Sequence, residues 1–155
     1  MRRSLAVAVT ALLLASPLAA IEPREGWRVH ETAKPNAALL EDLKAAVEAE
    51  RMGLVTEAGP TEAAASRGIT IPGNRVVGVF RNDFAVRALE ASEAAMIEAP
   101  IRFYVTENPD GTATLSYKTP GHVFAPYEDE GGATLAAIAD ELDAIFATIA
   151  ARAVE

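Results

Sequence analysis

The sequence predicts an α+β sandwich: one domain with a single mostly antiparallel or mixed sheet, helices packed on it, and an amphipathic helix at the C-terminal end. Three observations carry this. Residues 101–118 alternate apolar and polar side chains on both sides of Asn108-Pro109-Asp110-Gly111, the pattern of a hairpin with one packed and one polar face. Val76-Val77-Gly78-Val79-Phe80 is an apolar run too uniform to be half exposed, so it is expected mid-sheet with both faces covered. Residues 134–154 place Leu135, Ile138, Leu142, Ile145, Phe146, Ile149 and Ala153 on one helical stripe, with Asp140, Glu141, Asp143 and Arg152 away from it. A doubly wound dinucleotide fold is disfavoured, because Gly73 and Gly78 lack the spacing of its glycine fingerprint.

The remaining elements follow in order. Residues 26–31 read as a first strand, with Trp27, Val29 and Glu31 on one face and Arg28 and His30 on the other. Pro35-Asn36 opens a helix with Asn36 as the expected N-cap and Leu39, Leu40, Leu43, Ala46 and Val47 as its apolar stripe. Gly53 is expected to close that helix in the left-handed conformation, and residues 54–57 to form a second strand. Gly59-Pro60-Thr61 marks a turn, with Thr61 capping a short helix over residues 62–67, and residues 69–74 form a loop ahead of the central strand. Asn82-Asp83 starts a helix to about Ala91, and Ser92 caps a shorter one that ends before Pro100. Residues 121–132, rich in Gly, Pro and acid, read as a loop. Phe103, Leu115 and Ile145 are expected to share one core, because the hairpin's apolar face needs the cover that the last helix offers.

Length and composition narrow the classes of function. Residues 1–20 read as a signal peptide: basic Arg2-Arg3, an apolar stretch over residues 5–15, and Ser16-Pro17-Leu18-Ala19-Ala20 at the cut. The competing readings are an uncleaved anchor, against which Pro17 argues, and twin-arginine export, of which only the Arg pair and Leu5 are present. A mature chain over residues 21–155 is thus expected in the periplasm, without membrane insertion. Loss of Arg2 and Arg3 leaves 12 basic against 22 acidic residues, a net charge of −10. Such a domain is repelled by nucleic acid and anionic membranes, leaving small molecules and periplasmic proteins as expected partners. With no cysteine the chain has no disulfides, thiolate metal sites or thiol chemistry, so its core alone must hold it. A domain of this length buries roughly two-thirds of its unfolded surface, which is sufficient.

Several residues in order and spacing carry a resemblance. Ile71-Pro72 precedes the apolar strand, Phe80 is followed two residues later by Asn82, and Ala99-Pro100 leads into residues 101–107. Asp110-Gly111, Ser116-Tyr117 and Pro120 continue the pattern, and the helix over residues 39–50 closing on Gly53-Leu54 fits it too. Together they resemble the bacterial domain of unknown function 302 family, over most of residues 25–150. The resemblance implies a compact α+β domain and no established activity. Many members of that family carry a His near the start of the second helix, where this chain has Gly59-Pro60-Thr61, so a metal or heme role resting on that His finds no support here. Many also have Gly-Asn-Pro after the central strand; here Arg81-Asn82-Asp83 keeps only the Asn.

No catalytic motif is present. His30 and His122 are the only histidines, and no recognisable ligand spacing joins either to Asp83, Glu128 or Asp129, so neither a metal nor a cofactor is expected. Ser66, Ser92 and Ser116 lack a nucleophile elbow. Glu128-Asp129-Glu130 lacks the oxygen spacing of a calcium loop and suits a helix N-terminus. Two groups remain as candidate ligand-binding residues. Arg75 and Arg81, with Asn74 and Asn82, bracket the central strand and suit an anion at the sheet edge, or else pair with surface acids. Tyr104, Tyr117, Phe124 and Tyr127 suit an apolar groove under the 121–132 segment, with His122 in the same region, or else serve packing, Tyr117 above all. The expectation is a non-enzymatic module binding a small ligand or partner protein. The alternative is a small hydrolytic or metal-assisted enzyme, which requires His122 within hydrogen-bond reach of a carboxylate in a pocket.

Overall fold

The hairpin alternation shows in burial along residues 101–107, where Phe103 and Val105 are buried and Arg102 is exposed; along residues 112–118 Ala113, Leu115 and Tyr117 are buried, and so are Thr114 and Ser116 between them. The computed structural model describes residues 21–155, and the signal-peptide expectation for residues 1–20 lies outside them. The strands are β1 (Trp27–Pro35), β2 (Gly53–Ala58), β3 (Asn74–Phe80), β4 (Ile101–Glu107) and β5 (Thr112–Lys118). The helices are α1 (Asn36–Ala49), α2 (Thr61–Ala65), α3 (Asn82–Ala91), α4 (Pro120–Phe124) and α5 (Glu128–Val154), with 3-10 turns at Ala94–Glu98 and Ala125–Tyr127. The five strands form one sheet in the order β1-β5-β4-β3-β2, antiparallel throughout. Among the described residues no helix is long and apolar enough to cross a membrane.

One face of the sheet carries the core. Val77, Val79, Phe103, Val105 and Leu115 meet Leu39, Leu43 and Val47 of α1 and Leu135, Ile138, Leu142, Phe146 and Ile149 of α5. Arg87 on α3 ties to Glu141 on α5 through two guanidinium bonds of 2.9 and 2.6 Å. The opposite face has no such layer over it and is only partly covered, with Gly78, Thr114 and Ser116 buried on it, and here the central run departs from expectation. β3 is fourth in the order, and only Val77 and Val79 point into the core. Val76 and Gly78 face the other way. Gly78 is apolar for a different reason: a Cβ there would collide with Thr56 and Pro100, which lie over it.

Both edge strands are irregular. In β1 the register with β5 shifts between Glu31 and Pro35, and the Thr32 hydroxyl replaces ladder bonds by donating to the Ala113 carbonyl at 2.8 Å. In β2 the register with β3 shifts between Leu54 and Thr56, leaving Val55 as the extra residue. Lys34, beside the first shift, donates to Asp42 at 2.7 Å and to the Ala153 carbonyl at 2.9 Å, joining β1 to α1 and to the electronegative C-terminal end of α5.

Helix ends differ most from expectation. Pro35 occupies the cap position of α1, and Asn36 is its first residue, its side chain lying against Gly73. Arg51, with φ of 59°, takes the left-handed turn expected of Gly53, which instead begins β2. Pro60 rather than Thr61 precedes α2. Residues 121–132 are not a loop: they form α4, a 3-10 turn and the first turn of α5. The break expected there survives at Gly132, whose φ of 54° and ψ of −149° interrupt α5.

Candidate functional site

Strand order decides which side chains share the partly covered face. Trp27 on β1 pairs with Lys118 on β5, Tyr104 on β4 with Ser116 on β5, and Val76 on β3 with Tyr104. Arg102 lies one step beyond the Phe103–Tyr117 pair, directly across from Lys118 in the same register. All of these but Ser116, together with Asn74, Glu98 and Val123, line a groove of about 410 Å³. Its size is that of a small-molecule site.

The groove's polar groups are unevenly satisfied. The Asn74 amide donates to the Tyr104 hydroxyl, fixing both. Glu98 accepts from the Tyr127 hydroxyl at 2.9 Å, and that bond raises the Tyr127 pKa above the ordinary phenol value. Arg102 and Lys118 are exposed, and neither enters any of the ion pairs found among the described residues. Ser116, on the same face between Tyr104 and Val29, is wholly buried, and its hydroxyl has no hydrogen-bond partner.

The residues singled out by sequence fall in four places. Asn74 lines the groove; Arg75, its neighbour, points to the helix face and pairs with Glu57 at 3.4 Å and with Glu62. That contact, led by the Arg75 hydrogen bond, holds the Glu62 carboxyl below the usual carboxylate range. Arg81 precedes α3, binds Asp83 at 2.8 and 3.2 Å and stacks over Phe84 with its guanidinium carbon 4.2 Å from the ring centre. Asn82 is the exposed first residue of α3. Phe124 is buried on α4, where it lines a small apolar crevice of about 40 Å³ with Met52, Ala88 and Met96, space for about one water. Tyr127 reaches the groove only through Glu98.

His122 has a packing partner. A Cβ at Gly26 would occupy the space of the His122 ring, so the ring lies flat on that glycine, whose φ of 70° already requires the residue. His122 itself is exposed, and no ion pair joins it to a carboxylate among the described residues. Among those residues no group of three His, Cys, Asp or Glu side chains could hold a metal ion.

Tyr104 and Tyr117, read from sequence as possible walls of a groove, do line this one, whereas Trp27, Val76, Arg102 and Lys118 were not among the sequence candidates. The hairpin alternation already places Arg102, Tyr104 and Lys118 on one polar face. What sequence lacks is the pairing of β1 with β5, which brings Trp27 to Lys118 across 91 positions of chain.

Comparison with known proteins agrees with this architecture. No curated protein sequence matches the chain. Among solved structures it is similar to the crystal structure of an uncharacterized conserved protein DUF302 from Bacillus stearothermophilus, at 17% identity and a TM-score of 0.73. That match covers 84% of this chain and 99% of the other, and at such identity it speaks for the fold alone. The family model described as domain of unknown function DUF302 matches residues 28–149. On that match, which takes in most of α5 and the whole sheet except Trp27, the chain belongs to the DUF302 family.

Proposed function

We propose that the protein is an exported, non-enzymatic binding module that takes a small molecule in the groove on the partly covered face of its sheet. The observation that carries this reading is the groove itself: concave, of ligand size, and lined by an aromatic ring, an aliphatic wall and converging polar groups. Export rests on the basic start, apolar stretch and small-residue boundary of residues 1–20, and puts the mature N-terminus near Ile21. The cover on the other face supports a binding role, since a rigid sheet holds groove side chains in fixed positions without a moving lid.

The test is native mass spectrometry of the protein taken from the envelope fraction of its own cells. A chain starting near Ile21 with a dissociable small-molecule adduct is expected, and the adduct should vanish in Val76→Arg, which fills the groove. An adduct that persists in Val76→Arg, or a chain retaining residues 1–20 in the membrane fraction, overturns the proposal.

A further inference from the structure

Half of the twelve cations in residues 21–155 are neutralised by ion pairs. Lys34, Lys44, Arg75, Arg81, Arg87 and Arg152 each lie against a carboxylate. Among the described residues Arg24, Arg28, Arg51, Arg67, Arg102 and Lys118 have none, and of these six only Arg102 and Lys118 line the groove, in a chain whose net charge is −10 once residues 1–20 are removed. These two also stand directly across a strand pair, where like charges repel and lower stability. The one carboxylate lining the groove, Glu98, is engaged by the Tyr127 hydroxyl. Two uncompensated cations set side by side, at a cost to the sheet, are the arrangement that a carboxylate or phosphate oxygen pair would satisfy.

The surroundings describe the rest of the ligand. Trp27 flanks Lys118, Tyr104 is two residues along the strand from Arg102, and Val76 and Val123 add aliphatic wall. We infer that the groove takes a small amphipathic organic anion, its charged end held between Arg102 and Lys118 and its flat apolar body laid along Trp27 and Tyr104. The inference rests on the binding reading above and names its ligand class. A second copy of the chain is a poor occupant, because two domains of this charge repel each other and each would bring its own pair of free cations to the contact.

The chain's one tryptophan lies in the groove, so its fluorescence reports on this site alone. The experiment titrates full-length mature protein with trans-cinnamate, with neutral cinnamamide and with inorganic phosphate, using Trp27 emission and calorimetry together. Cinnamate should bind at least about tenfold more tightly than cinnamamide or phosphate, and Arg102→Gln or Lys118→Gln should each weaken it by about tenfold. Both side chains are exposed, so these variants fold; unchanged circular dichroism confirms it. Equal binding of cinnamate and cinnamamide, or no loss in either Gln variant, overturns the anion while leaving a groove ligand standing. Phosphate binding as tightly as cinnamate removes the apolar body. No response to any probe, or concentration-dependent dimerisation that buries Trp27, overturns the anion and the small-molecule groove together.

Discussion

Phe103, Tyr117 and Phe146 meet at the centre of the core, with ring centroids 4.4 Å apart for Phe103–Phe146, 5.2 Å for Phe103–Tyr117 and 5.6 Å for Tyr117–Phe146. The stripe on α5 was legible, but its centre was not: Ile145, expected beside Phe103 and Leu115, is half-buried at the margin, and Phe146 takes that place. A 3.6-residue period defines a face about two residues wide and cannot choose between neighbours on it. Phe146→Ala should therefore cost about 3–5 kcal/mol in urea denaturation, and Ile145→Ala only about 1 kcal/mol. Equal losses would mean that α5 is rotated from the orientation described. His30 gives a second outcome at this scale. Burial first, and the nearby Arg28 second, lower its pKa below the usual histidine value, while its ring stacks on Tyr117 at 6.0 Å. The unfolded chain then takes up a proton before the folded one does. The contribution of neutral His30 is complete above about pH 6.5 and is lost as pH falls toward the lower folded value. The melting temperature should drop between about pH 7 and pH 5, and His30→Gln should flatten that drop. The carboxylates of Asp83, Asp110 and Glu141, held low by Arg81, Thr112 and Arg87 respectively, act only at more acidic pH.

Elements were more legible than their ends. Periodicity located α1, α3, α5 and the hairpin, because each buries one face and the burial writes itself into residue spacing. Caps depend on a single backbone angle, and there proline and arginine outcompete the expected residues: Pro35 and Pro60 stand where side-chain caps were expected, and Arg51 turns left-handed two residues before Gly53. Ser92 is the cap that follows expectation, accepting from the Ala95 amide at 3.2 Å. Its hydroxyl also donates to Glu130 at 2.8 Å, pinning the first turn of α5 just before the Gly132 break. Ser92→Ala removes both bonds at a buried position and should lower stability by about 1–2 kcal/mol in thermal or urea unfolding. A loss below about 0.5 kcal/mol would show that the turn before Gly132 holds without Ser92.

At the scale of the molecule, the α+β class was legible, but its layering was only half so. An apolar run was read as a strand covered on both sides, whereas the sheet has one packed face and one partly covered face that meet in the same five residues. Gly78 misled the pattern, because a glycine excluded by steric crowding and a glycine buried in a core look alike in sequence. The groove was legible only in part, through Asn74, Tyr104 and Tyr117, for a related reason: it is complete only once β1 has crossed to the far side of the hairpin, a pairing that leaves no local mark. That crossing has one further effect. It leaves β1 and β2 as the outer strands, and each is bulged, at Glu31–Pro35 and at Val55. A flat rim of free amides and carbonyls would invite another chain to add itself, then another, in the cross-β stacking of fibrils. A bulged rim offers no continuous register to copy. For an acidic domain without disulfides, in which unfolding is opposed by packing alone, the two bulges keep a loosened molecule from seeding its neighbours.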